Sequence, residues 1–236
     1  METLEAIEKR RSCRKYQNKD LEKEIFSVVL NAGRLAPSAG NLQDRCFIIV
    51  KNKNTRQRIA ELCGGQMWMQ FAPVHIVVVS ELKKNKQYYG IRGERVYSIQ
   101  DCAVAVQNML LAATDLGLGC CVVSAFDEDR LKDLLVIEDP ARPQAVVTLG
   151  YCAEENTKPT PKHDLEKLVW TEKYFGRIEN MSITLGAWSE IWEKKIKEVK
   201  ENLDLPQKKQ VFLEKSKEVG KKIKERLKNL RKPKSE

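Results

Sequence analysis

The chain has 236 residues, of which 42% are hydrophobic and 32% charged, a composition that excludes a fibrous or largely disordered protein and fits one soluble domain with an additional segment. Its net charge of +9 is uneven, because residues 194–236 carry 16 of the 42 basic and 7 of the 33 acidic side chains. No apolar run approaches the roughly 18 residues of a membrane span, and the amino terminus is charged rather than apolar. We therefore expect a cytoplasmic protein without a membrane partner.

The cysteines and histidines point to no metal site. None of the seven cysteines forms a CxxC pair, and several lie in apolar runs where a thiol packs as a small hydrophobic group. We expect reduced, buried thiols. His75 lies in a predicted strand with no second histidine or acidic cluster beside it, which favours a hydrogen-bonded or exposed side chain over a metal ligand.

Apolar spacing predicts helices and strands throughout the first 150 residues. In chain order these are a short helix from Leu4, a helix over Leu21–Ala32 capped by Asp20, a buried strand Cys46–Val50, a helix Thr55–Cys63, a central strand Val74–Val79, a long helix Val96–Leu116, a strand Cys120–Val123, a helix capped by Asp127 and a strand Gln144–Gly150. Residues 81–95 are polar and contain Tyr88, Tyr89, Arg92 and Arg95. A mobile surface loop is the favoured interpretation of this segment, and a small lid over a substrate is the alternative.

A basic cluster, Lys9 to Lys15, follows the first helix. Cations at the carboxyl end of a helix complement its dipole, which is one explanation of the cluster. Ser12 lies among Arg10, Arg11 and Arg14, and a hydroxyl flanked by guanidinium groups is suited to binding a phosphate monoester. The residues alone leave the dipole and the phosphate interpretations open.

The segment Ala36–Gln43 separates a predicted helix from a predicted strand. Pro37 and Gly40 specify a turn there, because neither continues regular structure well. Ser38, Ala39 and Gly40 are small enough for the backbone to approach a flat ligand, and Ser38, Asn41 and Gln43 offer hydrogen-bonding groups. A helix-to-strand loop with no binding role can have similar residues, so the turn by itself does not specify a ligand site.

Taken together, the sequence Arg10-Arg11-Ser12-Cys13-Arg14-Lys15-Tyr16 and the turn resemble the flavin-dependent nitroreductase family. The resemblance covers about residues 4–175, with the family's motifs in order. It implies an α+β fold, in which helices flank a mixed, largely antiparallel sheet, and a homodimer with two FMN sites at the subunit interface. No GxGxxG follows the first predicted strand to favour a dinucleotide-binding fold instead.

The resemblance also assigns FMN contacts to particular residues. It implies that the phosphate is held by Arg10, Ser12 and Lys162, with Arg11 and His163 as further candidates. It implies that Arg14 and Gln66 contact the pyrimidine edge of the flavin, and that Ser124 and Ala125 present main-chain groups to it. The remaining contacts are expected from the partner subunit, through Pro37, Ser38, Ala39 and Asn41. Two positions depart from the family's pattern. Ala125 stands where glycine is usual, and His163 where a second lysine or arginine is common.

The reaction implied is ping-pong electron transfer. NAD(P)H gives a hydride to FMN and leaves, and a small acceptor of nitroaromatic, quinone or flavin type takes the electrons, with no side-chain acid or base required. Related proteins of the same fold carry out dehalogenation or flavin cleavage, and these remain alternatives. The sequence selects neither the acceptor nor NADH over NADPH.

The last sixty residues differ in character from the rest, which suggests a domain over 1–175 and a helical, basic extension over 176–236. Trp188, Ile191, Trp192 and Ile196 begin one apolar helical stripe, and a second runs from Phe212 to Leu230. We favour helices that pack on the body or across a dimer, with docking to an acidic protein, a membrane surface or nucleic acid as the alternative. Because acidic residues interrupt the basic face and no nucleic-acid fold accompanies it, no nucleic-acid partner is expected.

Overall fold

Residues 2–154, 160–164 and 167–176 are described by a computed structural model. Their strands form one four-stranded antiparallel sheet with the order β1-β2-β4-β3. The strands are β1 (Arg45–Val50), β2 (Val74–Glu81), β3 (Gly119–Val123) and β4 (Ala141–Gly150). β2 and β4 are therefore central, and β1 and β3 lie at opposite edges. The predicted α+β class with a largely antiparallel sheet is confirmed.

Helices pack on both faces of this sheet. They are α1 (Thr3–Lys9), α2 (Lys23–Arg34), α3 (Lys53–Leu62), α4 (Leu82–Arg92), α5 (Ser98–Asp115) and α6 (Glu128–Leu135). Side chains of a strand alternate between its two faces, and β2 shows this clearly. Ile76 and Val78 join α2 and α5 in one core cluster, whereas Val77 and Val79 join α3 and α6 in the other. The central strand predicted at Val74–Val79 is thus buried on both faces.

Three local predictions about termini and burial have different outcomes. Asp127 accepts a hydrogen bond from the Arg130 amide and caps α6, as predicted. Asp20 does not cap α2, which begins at Lys23 after Glu22 with no side-chain cap, so that prediction is wrong. The strand predicted as buried at Cys46–Val50 is also an edge strand, with Ile49 42% exposed, because the strand pairs only with β2 among the described residues.

The favoured prediction of a loop over residues 81–95 is wrong. α4 occupies Leu82–Arg92, and a π-helical turn over Gly93–Tyr97 joins it directly to α5. The segment is polar because α4 exposes most of its side chains. Gly93 allows the close approach of this turn to the preceding helix, since a Cβ atom there would collide with the Asn85 carbonyl oxygen.

The prediction that the cysteines are reduced is wrong for two of the seven. Cys13 and Cys152 are paired as a disulfide with Cα atoms 6.1 Å apart. They are 139 residues apart in sequence. They meet because Cys13 pairs with β3 and Cys152 follows the end of β4, which sequence spacing alone does not reveal. The other five cysteines are free, and four of them are buried.

The chain divides into two compact units, residues 1–159 and 160–236. In the second unit, the rings of Trp170, Tyr174 and Phe175 cluster with centroids 4.1–5.4 Å apart. The predicted helices from Trp188 and Phe212 lie outside the described residues, and the predicted boundary at residue 175 stays a prediction. No helix within the described ranges has the length and apolar content needed to cross a membrane.

Candidate flavin site

The basic segment, Arg10–Arg14, runs beside the edge strand β3. Ser12 forms a parallel bridge with Cys120, and the Cys13 amide donates to the Cys120 carbonyl over 2.9 Å. The segment is therefore extended here, and successive side chains point to opposite sides. This alternation places Arg10, Ser12 and Arg14 on one side, and Arg11 and Cys13 on the other.

The thiol of Cys121 lies near the side of the segment that carries Arg10, Ser12 and Arg14. Burial raises the pKa of this thiol, while Arg14, Ser12 and Arg10 all act to lower it. Ser12 acts on the thiol through a hydrogen bond, and Arg10 and Arg14 act through their charges, so all three side chains lie near Cys121 of β3. The structure brings together the three side chains that the sequence suggested as a phosphate and flavin site.

Arg11 lies apart from these three residues. Its guanidinium donates to the carbonyls of Glu8, over 2.5 Å, and Arg10, over 2.9 Å, so it interacts with the carboxyl end of α1. Arg11 also lines a separate cleft of about 530 Å³ together with Cys13 and Cys152. The structure accordingly does not group Arg11 with the phosphate candidates.

Gln66 and Trp68 lie at the same end of the sheet as Ser12. They belong to the segment that leads through a 3₁₀ helix, Met67–Phe71, into β2. The first residue of β2, Val74, pairs with Leu149 of β4, and Leu149 also pairs with Cys120 of β3. The Arg14 guanidinium lies 5.8 Å from the centre of the Trp68 ring, within cation–π range. One side-chain N–H of Gln66 donates to the Cys63 carbonyl over 2.9 Å, so its carbonyl oxygen and its second N–H can still address a ligand.

His75 anchors this 3₁₀ helix from below. Its ring is fully buried, and Nε2 lies 2.8 Å from the Met69 carbonyl, which requires the proton on Nε2. Nδ1 is buried and has no partner among the described residues. Protonation of Nδ1 would therefore bury an uncompensated charge, and burial lowers the pKa of His75 from 6.5 to about 4. Of the two predicted alternatives, a hydrogen-bonded or an exposed side chain, the structure shows the hydrogen-bonded one.

We expect the free energy of unfolding to fall as the pH is lowered from 6.5 towards 4. In this range the unfolded chain takes up a proton at His75 and the native chain does not, so acid favours unfolding. Urea unfolding of His75→Gln should show a smaller loss over the same range. His163→Gln is the matched control, because His163 is exposed. If the dependence of the unfolding free energy on pH changed equally in both variants, the assignment of this effect to His75 would be wrong.

The Ala36–Gln43 turn is held from several directions. Gly40 adopts a φ of 52°, the left-handed conformation that glycine adopts without strain. The Ser38 hydroxyl accepts a hydrogen bond from the backbone amide of Gln43 over 3.0 Å. From beneath, the buried Arg45 guanidinium donates to the carbonyls of Ala36 and Pro37. Pro37 and Asn41 remain exposed, so the turn is internally fixed and still presents its rim to solvent.

Sequence reasoning missed the buried polar residues that support this turn. Asp101 on α5 accepts from the Ala39 amide over 3.0 and 3.2 Å, and Asp44 lies fully buried at the start of β1. The available signal was the charged pair Asp44-Arg45 directly before an apolar strand. Such a pair resembles an ordinary solvated loop end, and only the packing of α4 and α5 over it makes it buried.

The candidate residues form two groups at opposite corners of the sheet. The turn enters β1 at the end where Arg45 pairs with Ser80 and Ser80 with Arg142. Ser12 lies at the other end, beside Cys120 of β3. β1 and β3 are also separated by three strand spacings, about 14 Å. One chain therefore does not bring the turn and the basic segment to a common ligand.

The remaining candidates lie in two places. Ser124 and Ala125 form the exposed connection between β3 and α6, a position where backbone N–H groups are accessible. Lys162 and His163 are exposed residues of the second unit, and their role stays a prediction. Among the residues described, no group of acidic, histidine and cysteine side chains could hold a metal ion.

Comparison with known proteins identifies the family. The Nitroreductase family model matches residues 7–70 and 65–151. A putative NADH dehydrogenase/NAD(P)H nitroreductase from Methanothermobacter thermautotrophicus is 37% identical over 158 residues, which cover 65% of this chain and 79% of the relative. An FMN reductase (NAD(P)H) from Bacillus subtilis is 25% identical over 191 residues, covering 75% of this chain and 76% of the relative.

Solved structures agree with this assignment. A putative NADH dehydrogenase/NAD(P)H nitroreductase from Parabacteroides distasonis superimposes with a TM-score of 0.64 at 27% identity, covering 73% of this chain and 98% of that one. Bacillus megaterium NfrA2 has the same fold, with a TM-score of 0.70 at 19% identity and coverage of 84% and 85%. The family match spans more than half of the sequence and includes both the basic segment and the Ala36–Gln43 turn, and the chain therefore belongs to the Nitroreductase family.

Proposed function

We propose that this chain is an FMN-dependent oxidoreductase that passes electrons from NAD(P)H to a small acceptor by a ping-pong mechanism. The enzyme class rests on the family and on relatives named as NAD(P)H nitroreductases and as an FMN reductase. The observation that carries the cofactor assignment is that Arg10, Ser12 and Arg14 lie on the same side of the basic segment, near Cys121 of β3.

The residues at β3 fit a flavin mononucleotide by their chemistry. A phosphate monoester needs positive charge and short hydrogen bonds, which Arg10 and Ser12 supply. Arg14 offers a delocalised cation beside Trp68, suited to a planar ring that gains negative charge on reduction. Gln66 adds an amide oxygen that can accept from an N–H on the edge of such a ring.

Bound FMN would supply the redox chemistry, accepting a hydride and returning two electrons. The protein's residues then have three tasks. Arg10 and Ser12 fix the phosphate; Arg14 stabilises negative charge at the pyrimidine edge; and Ser124 and Ala125 present main-chain N–H groups. Lys162 and His163 are proposed as second-direction phosphate contacts on the strength of the resemblance alone.

We infer that the site is completed by a second copy of the chain. Pro37, Ser38, Ala39 and Asn41 lie at the corner opposite to Ser12, so they would reach the partner's FMN rather than their own. Large apolar side chains on the packed pair α2 and α5 are exposed in a single chain, including Val28 at 51% and Ile99 at 46%, and Leu35, directly after α2, is 65% exposed. Large apolar side chains exposed in this way are found at interfaces between subunits, where a partner covers them.

Sedimentation velocity of the FMN-loaded protein tests the two-chain site. We expect a dimer, and we expect Ile99→Glu to shift the protein towards monomer and to release FMN in parallel, because a charge on the buried face costs several kcal/mol in the assembly. Val136→Glu is the control, since Val136 is 79% exposed on a different helix end. A monomer that keeps full FMN occupancy would refute the shared site.

The oxidoreductase itself is tested by mixing the FMN-loaded protein with NADH or NADPH, then with a nitroaromatic, quinone or free flavin. Oxidation of the pyridine nucleotide in the first step and of the reduced protein in the second would support ping-pong transfer. Parallel rather than intersecting double-reciprocal plots are the expected kinetic pattern. Turnover only when both substrates are bound together would exclude it.

A further inference from the structure

A buried polar cluster lies beneath the Ala36–Gln43 turn, where β1, β2, α4 and α5 meet. It consists of Asp44, Ser80, Asn85 and Asp101, each no more than 5% exposed. Two of these are carboxylic acids, Asp44 and Asp101, and the Asp101 carboxylate acts electrostatically on Asp44. Two ionised carboxylates buried together would repel in a medium that screens charge poorly, so the cluster needs a further explanation.

The hydrogen bonds of Asp44 are unevenly distributed over its two oxygens. Oδ2 accepts from the Ser80 hydroxyl over 2.8 Å and from the Asn85 amide over 2.5 Å. Oδ1 is buried and has no donor among the residues described. An unpaired buried acceptor is costly. The same oxygen is satisfied if it carries a proton and donates it to a neighbouring acceptor. Asp101 is the other carboxylate of the cluster and acts on Asp44 through a hydrogen bond and through its charge, which makes it the acceptor that such a proton would reach.

Asp101 is placed to act as the acceptor and to transmit the effect to the turn. Both of its oxygens accept from the Ala39 amide, over 3.0 and 3.2 Å. A carboxylate in this position therefore connects Asp44 directly to the backbone of a residue that we place at the partner's FMN. The connection runs through one carboxylate and one backbone amide.

The other titratable or charged groups around the pair do not neutralise it. Arg45 directs its guanidinium to the carbonyls of Ala36 and Pro37. Burial raises the pKa of Cys102 to about 12, and it raises the pKa of Cys46 as well. Burial also raises the pKa of Asp44, and the Asp101 carboxylate adds to this rise against the Ser80 hydrogen bond.

We propose that Asp44 and Asp101 share one proton at neutral pH, and that the pair acts as positioning residues for the Ala36–Gln43 turn. Asp44 holds the proton on Oδ1 and donates it to Asp101, which in turn holds the Ala39 amide. Loss of the proton at alkaline pH leaves two adjacent buried carboxylates, which separate and release the turn. The functional half of this inference rests on the proposed FMN site, whereas the shared proton does not.

Infrared spectroscopy tests the shared proton without any ligand. The full-length protein at neutral pH should show the C=O stretch of a protonated carboxylic acid, shifted in D₂O, and Asp44→Asn should lack it. The asparagine variant keeps an oxygen for Ser80 and Asn85 and offers an N–H to Asp101, so it imitates the protonated acid. If that variant does not fold, the wild-type spectrum still decides, because the absence of a protonated carboxyl band overturns the proposal. A band that persists unchanged in a folded Asp44→Asn also overturns it.

Titration with FMN as a function of pH tests the positioning role. Wild-type affinity should fall by about threefold or more, relative to Asp44→Asn, between neutral and alkaline pH, since only the wild type has a proton to lose. The ionisation of FMN is common to both proteins and cancels in the comparison. Identical pH profiles would refute the positioning role. Failure of the wild type to bind FMN at all would refute the proposed function, while the infrared result would still decide whether the proton is shared.

Discussion

Replacing Arg10 with alanine is expected to weaken FMN binding by about 10- to 100-fold. Hydrogen bonds between ionised partners contribute roughly 1.5–3 kcal/mol each, and a tenfold loss corresponds to about 1.4 kcal/mol. Arg10 lies on the side of the basic segment that carries Ser12 and Arg14, where we place the phosphate. Fluorescence quenching of FMN during titration gives the dissociation constant directly.

Arg11→Ala is the matched control for this experiment. It removes the same charge one residue away, but Arg11 lies on the other side of the segment and donates to the end of α1. We expect a change in FMN affinity of less than about threefold, which reflects only the long-range electrostatic contribution. Equal losses in the two variants would mean that the segment acts through net charge alone. An unchanged affinity in Arg10→Ala would remove the phosphate assignment.

The second large effect is expected at the centre of the sheet. Ile76→Ala should lower the free energy of unfolding by about 2–5 kcal/mol, because Ile76 of β2 is fully buried against α2 and α5 and its truncation leaves a cavity. A loss of this size is a large part of the 5–15 kcal/mol stability of a typical domain. Urea unfolding followed by circular dichroism measures it.

The structure supplies a close control for Ile76. Ile49 is its direct partner across the β1–β2 pair, has the same side chain and is 42% exposed at the sheet edge. Ile49→Ala should change stability by no more than about 1 kcal/mol, since little apolar surface is lost from a buried site. Similar losses in both variants would show that β1 is covered in the folded protein, for example by the partner chain.

Local signals explain which parts of the fold were predictable. The apolar residues of Val74–Val79, interrupted only by His75, and the periodicity of Val96–Leu116 each specify an element from neighbouring residues alone, and both are present as β2 and α5. The segment over residues 81–95 was mistaken for a loop because its polarity reflects exposure, not the absence of helix. Asp20 was mistaken for a cap because α2 starts later, at Lys23.

The candidate site divides in the same way. Arg10 and Ser12 were predicted as phosphate contacts from their residue types together with the family resemblance, and Arg14 was predicted from the resemblance. Their separation from Arg11 could have been predicted as well, because side chains alternate along an extended segment. The pairing of Cys13 with Cys152 and the burial of both Asp44 and Asp101 beneath the Ala36–Gln43 turn were not predictable. Both depend on residues distant in sequence that meet only after the sheet and helices have packed.

The most direct test of the central claim is an anaerobic titration of the purified full-length protein, reconstituted with FMN, with NADH and then with NADPH. We expect FMN to co-elute with the protein on gel filtration. At least one of the two nucleotides should bleach the visible absorption of the bound FMN, and the absorption should return when a quinone or a nitroaromatic compound is added. A protein that retains FMN but is not bleached by either nucleotide would contradict the proposed activity, and one that does not retain FMN would contradict the proposed site.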